Sequence, residues 1–149
     1  MTERTAAAED RVVLPLAGRW TYRSFVNDPD MSSAFNDLEF GRGELLIDKF
    51  DPGAFSGRLI FSDTYQFGLH GASSFGNPYA LRFQGTGDTT DSQGQTYNYI
   101  GYLVLIWPDG VEQRTVIVGS AIRTVPHDGG KATAGFVASW IAVKQDPTG

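Results

Sequence analysis

From Gly18 onward, apolar and aromatic side chains alternate with polar ones at every second position, and Gly, Pro, Asn and Asp recur wherever the alternation breaks. A period of two places successive side chains on opposite faces of a strand, so this pattern describes half-buried β-strands. The breaks divide the chain into eight strands, near 18–26, 42–48, 55–61, 65–71, 79–87, 96–107, 113–123 and 134–144. No segment sustains a 3.6-residue period, and no repeat of fixed length is visible. The link 27–38, with Asp28-Pro29 and Ser32-Ser33, is long enough for a helical turn or a loop over one end of the sheet.

The connections carry turn chemistry. Pro108-Asp109-Gly110 and Asp128-Gly129-Gly130 read as tight hairpins, and Asp51-Pro52-Gly53 and Gly76-Asn77-Pro78 as two earlier turns. Short links force antiparallel pairing, because a parallel crossover needs a dozen or more residues. Eight such strands form a meander whose two edges must be hidden, and closure into an up-and-down β-barrel hides both without long crossings. The expected fold is therefore all-β, an eight-stranded antiparallel up-and-down barrel over 15–145, with a polar arm at 1–14 and a loose tail at 146–149.

At 149 residues, one core is sufficient. With 41% hydrophobic and 19% charged residues, the chain is too apolar for disorder and too often interrupted for an apolar membrane helix, so no membrane partner is expected. The net charge of −5 and the lack of any Lys/Arg cluster argue against nucleic acid. With no cysteine, disulfides, thiolate metal sites and a cysteine nucleophile are excluded. The first ten residues hold Glu3, Arg4, Glu9 and Asp10 rather than the apolar core of a secretory signal, so a cytoplasmic location is expected.

Charged residues assign the faces of the first five strands. Arg19 and Arg23 send the odd positions of the first strand, Phe25 among them, to solvent, which turns Trp20, Tyr22 and Ser24 inward. By the same test Leu45, Ile47, Phe55, Leu59, Phe61, Tyr65, Phe67, Leu69, Tyr79, Leu81 and Phe83 point in. The last three strands are apolar on both faces. Tyr97, Tyr99, Leu103, Leu105 and Trp107 alternate with Ile100, Tyr102, Val104 and Ile106, and the next two strands repeat the ambiguity. Strands apolar on both faces are covered on both faces, so association of two or more copies through 96–107, 113–123 and 134–144 is the expected cover, a homodimer first.

Gly18-Arg19-Trp20 at the start of the first strand, followed by seven strands and no long helix, resembles the calycin barrels, the avidin/streptavidin-like and lipocalin families. The resemblance implies a tryptophan across the barrel floor with a basic residue stacked on it, here Arg123 by preference or Lys144. It fits the avidin-like form better, since a lipocalin's C-terminal helix has no counterpart. The polar set that avidins use for biotin has none either, so biotin binding is not implied.

No nucleophile elbow, P-loop or dinucleotide fingerprint occurs, and Gly41-Arg42-Gly43 lies among strand residues rather than ahead of a helix. His70 and His127 stand far apart at expected strand ends, within reach of a barrel mouth, and two histidines without clustered carboxylates make a poor metal site. The loop 87–95 lacks the glutamate of an EF-hand and reads as a solvated hairpin loop. No metal, no cofactor and no particular catalytic residue is expected.

The tyrosines carry more information, because a barrel filled only for stability favours Val, Ile and Leu, while each buried phenol needs a hydrogen-bond partner. Eight strands enclose a space that side chains fill or that holds one small ligand. The expected lining is Trp20, Tyr22, Ser24, Tyr65, Phe67, Tyr79, Phe83, Tyr97, Tyr99 and Arg123, and the expected partner is an apolar small molecule. The alternatives are a barrel-shaped cyclase or isomerase acting on such a molecule, and a purely structural role in assembly with a filled interior.

Overall fold

The computed structural model describes residues 16–51, 53–76, 78–104, 106 and 108–145, the side chains of 49–51 excepted. The arm 1–14, the tail 146–149, Leu105 and Trp107, and the turn residues Pro52 and Asn77 lie outside the described residues. Eight strands follow one another: β1 Gly18–Val26, β2 Glu39–Asp51, β3 Ala54–Ser62, β4 Tyr65–Ser74, β5 Ala80–Gly87, β6 Thr96–Val104, β7 Val116–Arg123 and β8 Val137–Lys144, with one 3-10 turn at Phe35–Leu38. Each pairs antiparallel with its chain neighbour, and β1 also pairs with β8, Trp20 opposite Lys144, so the sheet closes on itself. Among the described residues no helix is long and apolar enough to cross a membrane, which says nothing of barrels that cross with strands.

Two links differ from expectation. β6 stops at Val104 and β7 starts at Val116, so Pro108-Asp109-Gly110 lies in a longer connection, 105–115, in which Asp109 and Glu112 take left-handed backbone (φ 62° and 54°). Asp128-Gly129-Gly130 does make a tight turn, bridging His127 to Ala132, but inside the longer link 124–136. Phe25 also departs from the outward set: the 27–38 link lays the Phe35 ring 4.3 Å from it, and Phe25 is buried on the outside of the barrel.

The structure resolves the parity of the last three strands. Tyr97, Tyr99 and Leu103 face in with Ile117, Ala121, Arg123, Ala138, Trp140 and Ala142, while Tyr102, Val104, Val118, Ile122, Val137 and Ile141 are exposed. Glycines share the inward set. A side chain at Gly101 would meet Trp140 at 2.9 Å, and one at Gly119 would stand 1.8 Å from the Ile100 carbonyl oxygen. The large rings and the tight coiling of a narrow barrel therefore depend on small residues at the same level.

One end of the interior is packed solid around Trp20, which is wholly buried with Leu16, Leu45, Ile47, Leu59, Leu81 and Ile117 in the same core cluster. Its indole Nε1–H donates to the Leu16 carbonyl at 2.9 Å. The cation over its ring is Lys144, Nζ 5.7 Å from the centroid, and the preference for Arg123 is corrected. Alternate strands of a meander run the same way, so Trp20 near the start of β1 and Arg123 at the end of β7 occupy opposite ends of the barrel, while β8 returns Lys144 to the Trp20 end.

Candidate functional site

At the end opposite Trp20 the interior opens into a cavity of about 520 Å³. Its walls come from strand segments nearest that mouth: Tyr22 and Ser24 of β1, Phe40, Gly41 and Arg42 of β2, Phe61 of β3, Tyr65 and Phe67 of β4, Tyr97 and Tyr99 of β6, Ala121 and Arg123 of β7, and Ala138 of β8. The 124–136 link adds His127, Asp128 and Ala132. Small residues on β7 and β8, facing aromatic ones on β3, β4 and β6, leave this half unfilled.

The rings form a continuous edge-to-face wall. Phe61 stands 5.8 Å from Tyr22 and 6.1 Å from Phe67, and Phe67 stands 5.8 Å from Tyr97. Such contacts hold the rings in fixed orientations and present both apolar faces and polar edges to the cavity. Beneath them, Trp140 stacks on Tyr22 with centroids 5.7 Å apart.

The phenols are mostly engaged with one another and with loop residues. The Tyr22 phenol lies beside Ser24 and Tyr99. Tyr65 donates to Gln95 Oε1 at 2.6 Å, and Tyr97 Oη accepts from Arg123 Nε at 3.0 Å. Burial pushes the Tyr22 and Tyr99 phenols well above the ordinary tyrosine value, and half-burial pushes Tyr65 the same way, so all three are neutral at pH 7.

The charges sit at the rim, and most are paired. Arg42 and Arg23 both hold Glu39, whose carboxyl lies below the usual carboxylate range because of them. Arg123 differs. It is only 8% exposed, its Nη1 donates to the Thr133 carbonyl at 3.1 Å, and its guanidinium lies against Phe136, Tyr97 and Phe40 at 5.0, 5.5 and 5.9 Å from the ring centroids. Beside it His127 Nε2 stands 3.5 Å from Tyr97 Oη, and His127 Nδ1 lies 3.2 Å from Asp128 Oδ2 without hydrogen-bond geometry.

Seven of the ten residues expected to line the interior meet at this cavity: Tyr22, Ser24, Tyr65, Phe67, Tyr97, Tyr99 and Arg123. Trp20, Tyr79 and Phe83 do not, because they lie in the packed core; Phe83 stacks on Tyr99 at 4.8 Å and stands edge-on to Phe55. Sequence reasoning missed Phe40, Ala121, Ala138 and Asp128 as wall residues, whereas of the two histidines read as within reach of a mouth His127 does line it. The alanines share the parity of Arg123 and Trp140 and were findable on that ground. His127 reaches the mouth only through the small hairpin in its link, and His70 stays exposed on the outer face of β4, opposite Ser56 and Gln84.

The 87–95 loop is not simply solvated. Ser92 is fully buried, with its hydroxyl donating to the Gln66 carbonyl at 2.7 Å, and Arg58 grips Asp88 through two bonds of 3.0 and 2.6 Å. These contacts fix Gln95 under Tyr65.

The fold and site together define a closed antiparallel barrel, consistent with a calycin-like architecture, with an aromatic cavity at the mouth opposite Trp20. No family model matches the chain, and no curated protein or solved structure matches it.

Proposed function

We propose that the protein is a non-catalytic binding module that holds one largely apolar, aromatic small molecule in the mouth half of its barrel. The observation that carries this reading is the 520 Å³ space walled by aromatic rings while the other half of the same barrel is packed solid. Ligand pockets fall in this range of volume and combine an apolar wall with a few placed polar groups. The kinship with avidin-like barrels belongs to this proposal and rests on the architecture and the buried Trp20 alone.

The test is titration with N-phenyl-1-naphthylamine, an uncharged dye that brightens in apolar surroundings. One site per chain is expected, with Tyr22→Ala weakening binding at least fivefold and Arg82→Ala, exposed on the outer face of β5, leaving it unchanged. A dye that binds nowhere, or that responds equally to both substitutions, overturns the reading.

A second reading, a cyclase or isomerase in the same cavity, draws on one observation, the sequence of groups Asp128, His127, Tyr97 and Arg123 at the mouth. Arg123 donates to Tyr97 Oη, which turns the phenol proton toward either His127 Nε2 or a guest's oxygen, a path for proton transfer at the mouth.

Self-association is part of the same proposal, with a second copy of this chain as the occupant of the outer face of β6–β8. Tyr102, Val118 and Ile141 stand side by side across the three strands, as do Val104, Val116 and Val143, so the apolar positions form continuous rows.

A further inference from the structure

We infer that the ligand is an acid, and that Arg123 holds its carboxylate at the mouth while the aromatic wall holds its body; the inference rests on the binding reading above. A buried charge is costly unless it is paired and hydrogen-bonded, and arginine in such positions ordinarily meets a carboxylate. Arg123 is 8% exposed, yet among the described residues none of the ion pairs involves it. Its hydrogen bonds go to two neutral acceptors, Tyr97 Oη and the Thr133 carbonyl, and these engage Nε and Nη1. The remaining guanidinium donors belong to a residue that lines the cavity.

The neighbours complete an oxygen-binding corner. Tyr97 Oη accepts from Arg123 and lies 3.5 Å from His127 Nε2, so when the imidazole carries its proton on Nε2 the phenol's own proton is left for another oxygen. A carboxylate matches the planar fork of a guanidinium and takes the phenol as a further donor. The other mouth charges do not compete strongly: Arg42 is taken by Glu39, and the Asp128 carboxylate is largely solvated, 69% exposed beside His127. Phe61, Phe67, Ala121 and Ala138 then bound the space for the apolar body. An uncharged hydrocarbon fills that space equally well but leaves the buried cation without a counter-ion, so the cavity discriminates by charge rather than by shape.

The experiment is displacement of N-phenyl-1-naphthylamine at pH 7 by two probes of one shape, 1-naphthaleneacetate and its uncharged amide, 1-naphthaleneacetamide. With the natural chain the acid should displace the dye at concentrations at least tenfold lower than the amide. Arg123→Gln should bring the two within about twofold, and Arg123→Lys should restore part of the preference, with near-ultraviolet circular dichroism reporting that each variant is folded. Should Arg123→Gln not fold, the ratio for the natural chain and Arg123→Lys decides. A ratio under tenfold in the natural chain, dye displacement by neither probe, or a preference that survives in folded Arg123→Gln overturns the acid. In each of those cases the dye still binds and the apolar cavity stands, whereas absence of dye binding removes the cavity reading itself.

Discussion

Replacing Trp20 by alanine tests whether the closed end of the barrel is the structural half. A buried tryptophan hides about 150–250 Å², and at about 25 cal/mol per Å² its loss is worth about 4–6 kcal/mol of transfer free energy. The unfolded chain already hides part of that surface, which lowers the figure. Loss of the bond from Nε1 to the Leu16 carbonyl adds about 1 kcal/mol. Because Leu45, Leu59 and Ile117 are held by their own strands, the void cannot fully collapse, and a net loss of about 3–5 kcal/mol is expected, the range found for large aromatic deletions. In urea, with a slope of about 2 kcal/mol per M, the midpoint falls by about 2 M. Far-ultraviolet circular dichroism follows the transition without relying on the deleted fluorophore, and Trp20→Phe, which keeps most of the apolar surface, should fall between the two. A loss below about 1 kcal/mol in Trp20→Ala, with an unchanged slope, would refute the assignment of Trp20 to the core.

Alkaline titration should reveal the buried phenols. Tyr22 and Tyr99 have folded-state values raised by burial, so their contribution to stability is complete below the ordinary tyrosine value of about 10 and is lost as pH climbs from there through the folded values. The thermal midpoint should fall above about pH 10, Tyr22→Phe should flatten that fall, and phenolate absorbance at these positions should appear only with unfolding; full ionisation of every tyrosine in the folded protein would contradict it. For assembly, light scattering at micromolar concentration should give a multiple of the 16.2 kDa chain mass, and Val118→Glu, exposed at the centre of the β6–β8 face, should shift it to monomer. A monomer at every accessible concentration rejects that interface.

How much of this was legible in the sequence depended on where charges stood. In β1 to β5 a charged or polar residue on the solvent side fixed the parity, and Tyr22, Phe67 and Leu81 point inward as the alternation requires. The exception, Phe25, is buried from outside by the 27–38 link, a tertiary contact that period-two alternation does not encode. β6 to β8 lack such charges, but the glycines carried the answer: Gly101 stands in the Tyr97 and Tyr99 set because a neighbour's indole needs the space. Strand direction likewise separated Arg123 from Trp20, since the end of a seventh strand cannot lie at the start of the first. That half the barrel is hollow was not readable. It follows from which aromatic rings meet alanine across the interior and which meet leucine, and that is set by register and coiling rather than by any local pattern.

The division of the interior into a solid half and a hollow half separates two kinds of inheritance. Trp20, Leu45, Leu59 and Ile117 pack the pole away from the opening and border no part of the cavity, while the rim residues Phe40, His127, Ala132 and Ala138 border it and stand outside the core cluster. Descendants of this chain can therefore exchange those rim residues, and with them the shape of the opening, at less risk to folding than residues of the pole. Divergence should concentrate at one rim of the barrel while the opposite pole changes slowly. Lineages that share an ancestor would then look most alike at the packed pole, and a comparison restricted to it would trace descent where the mouth records changes of lining.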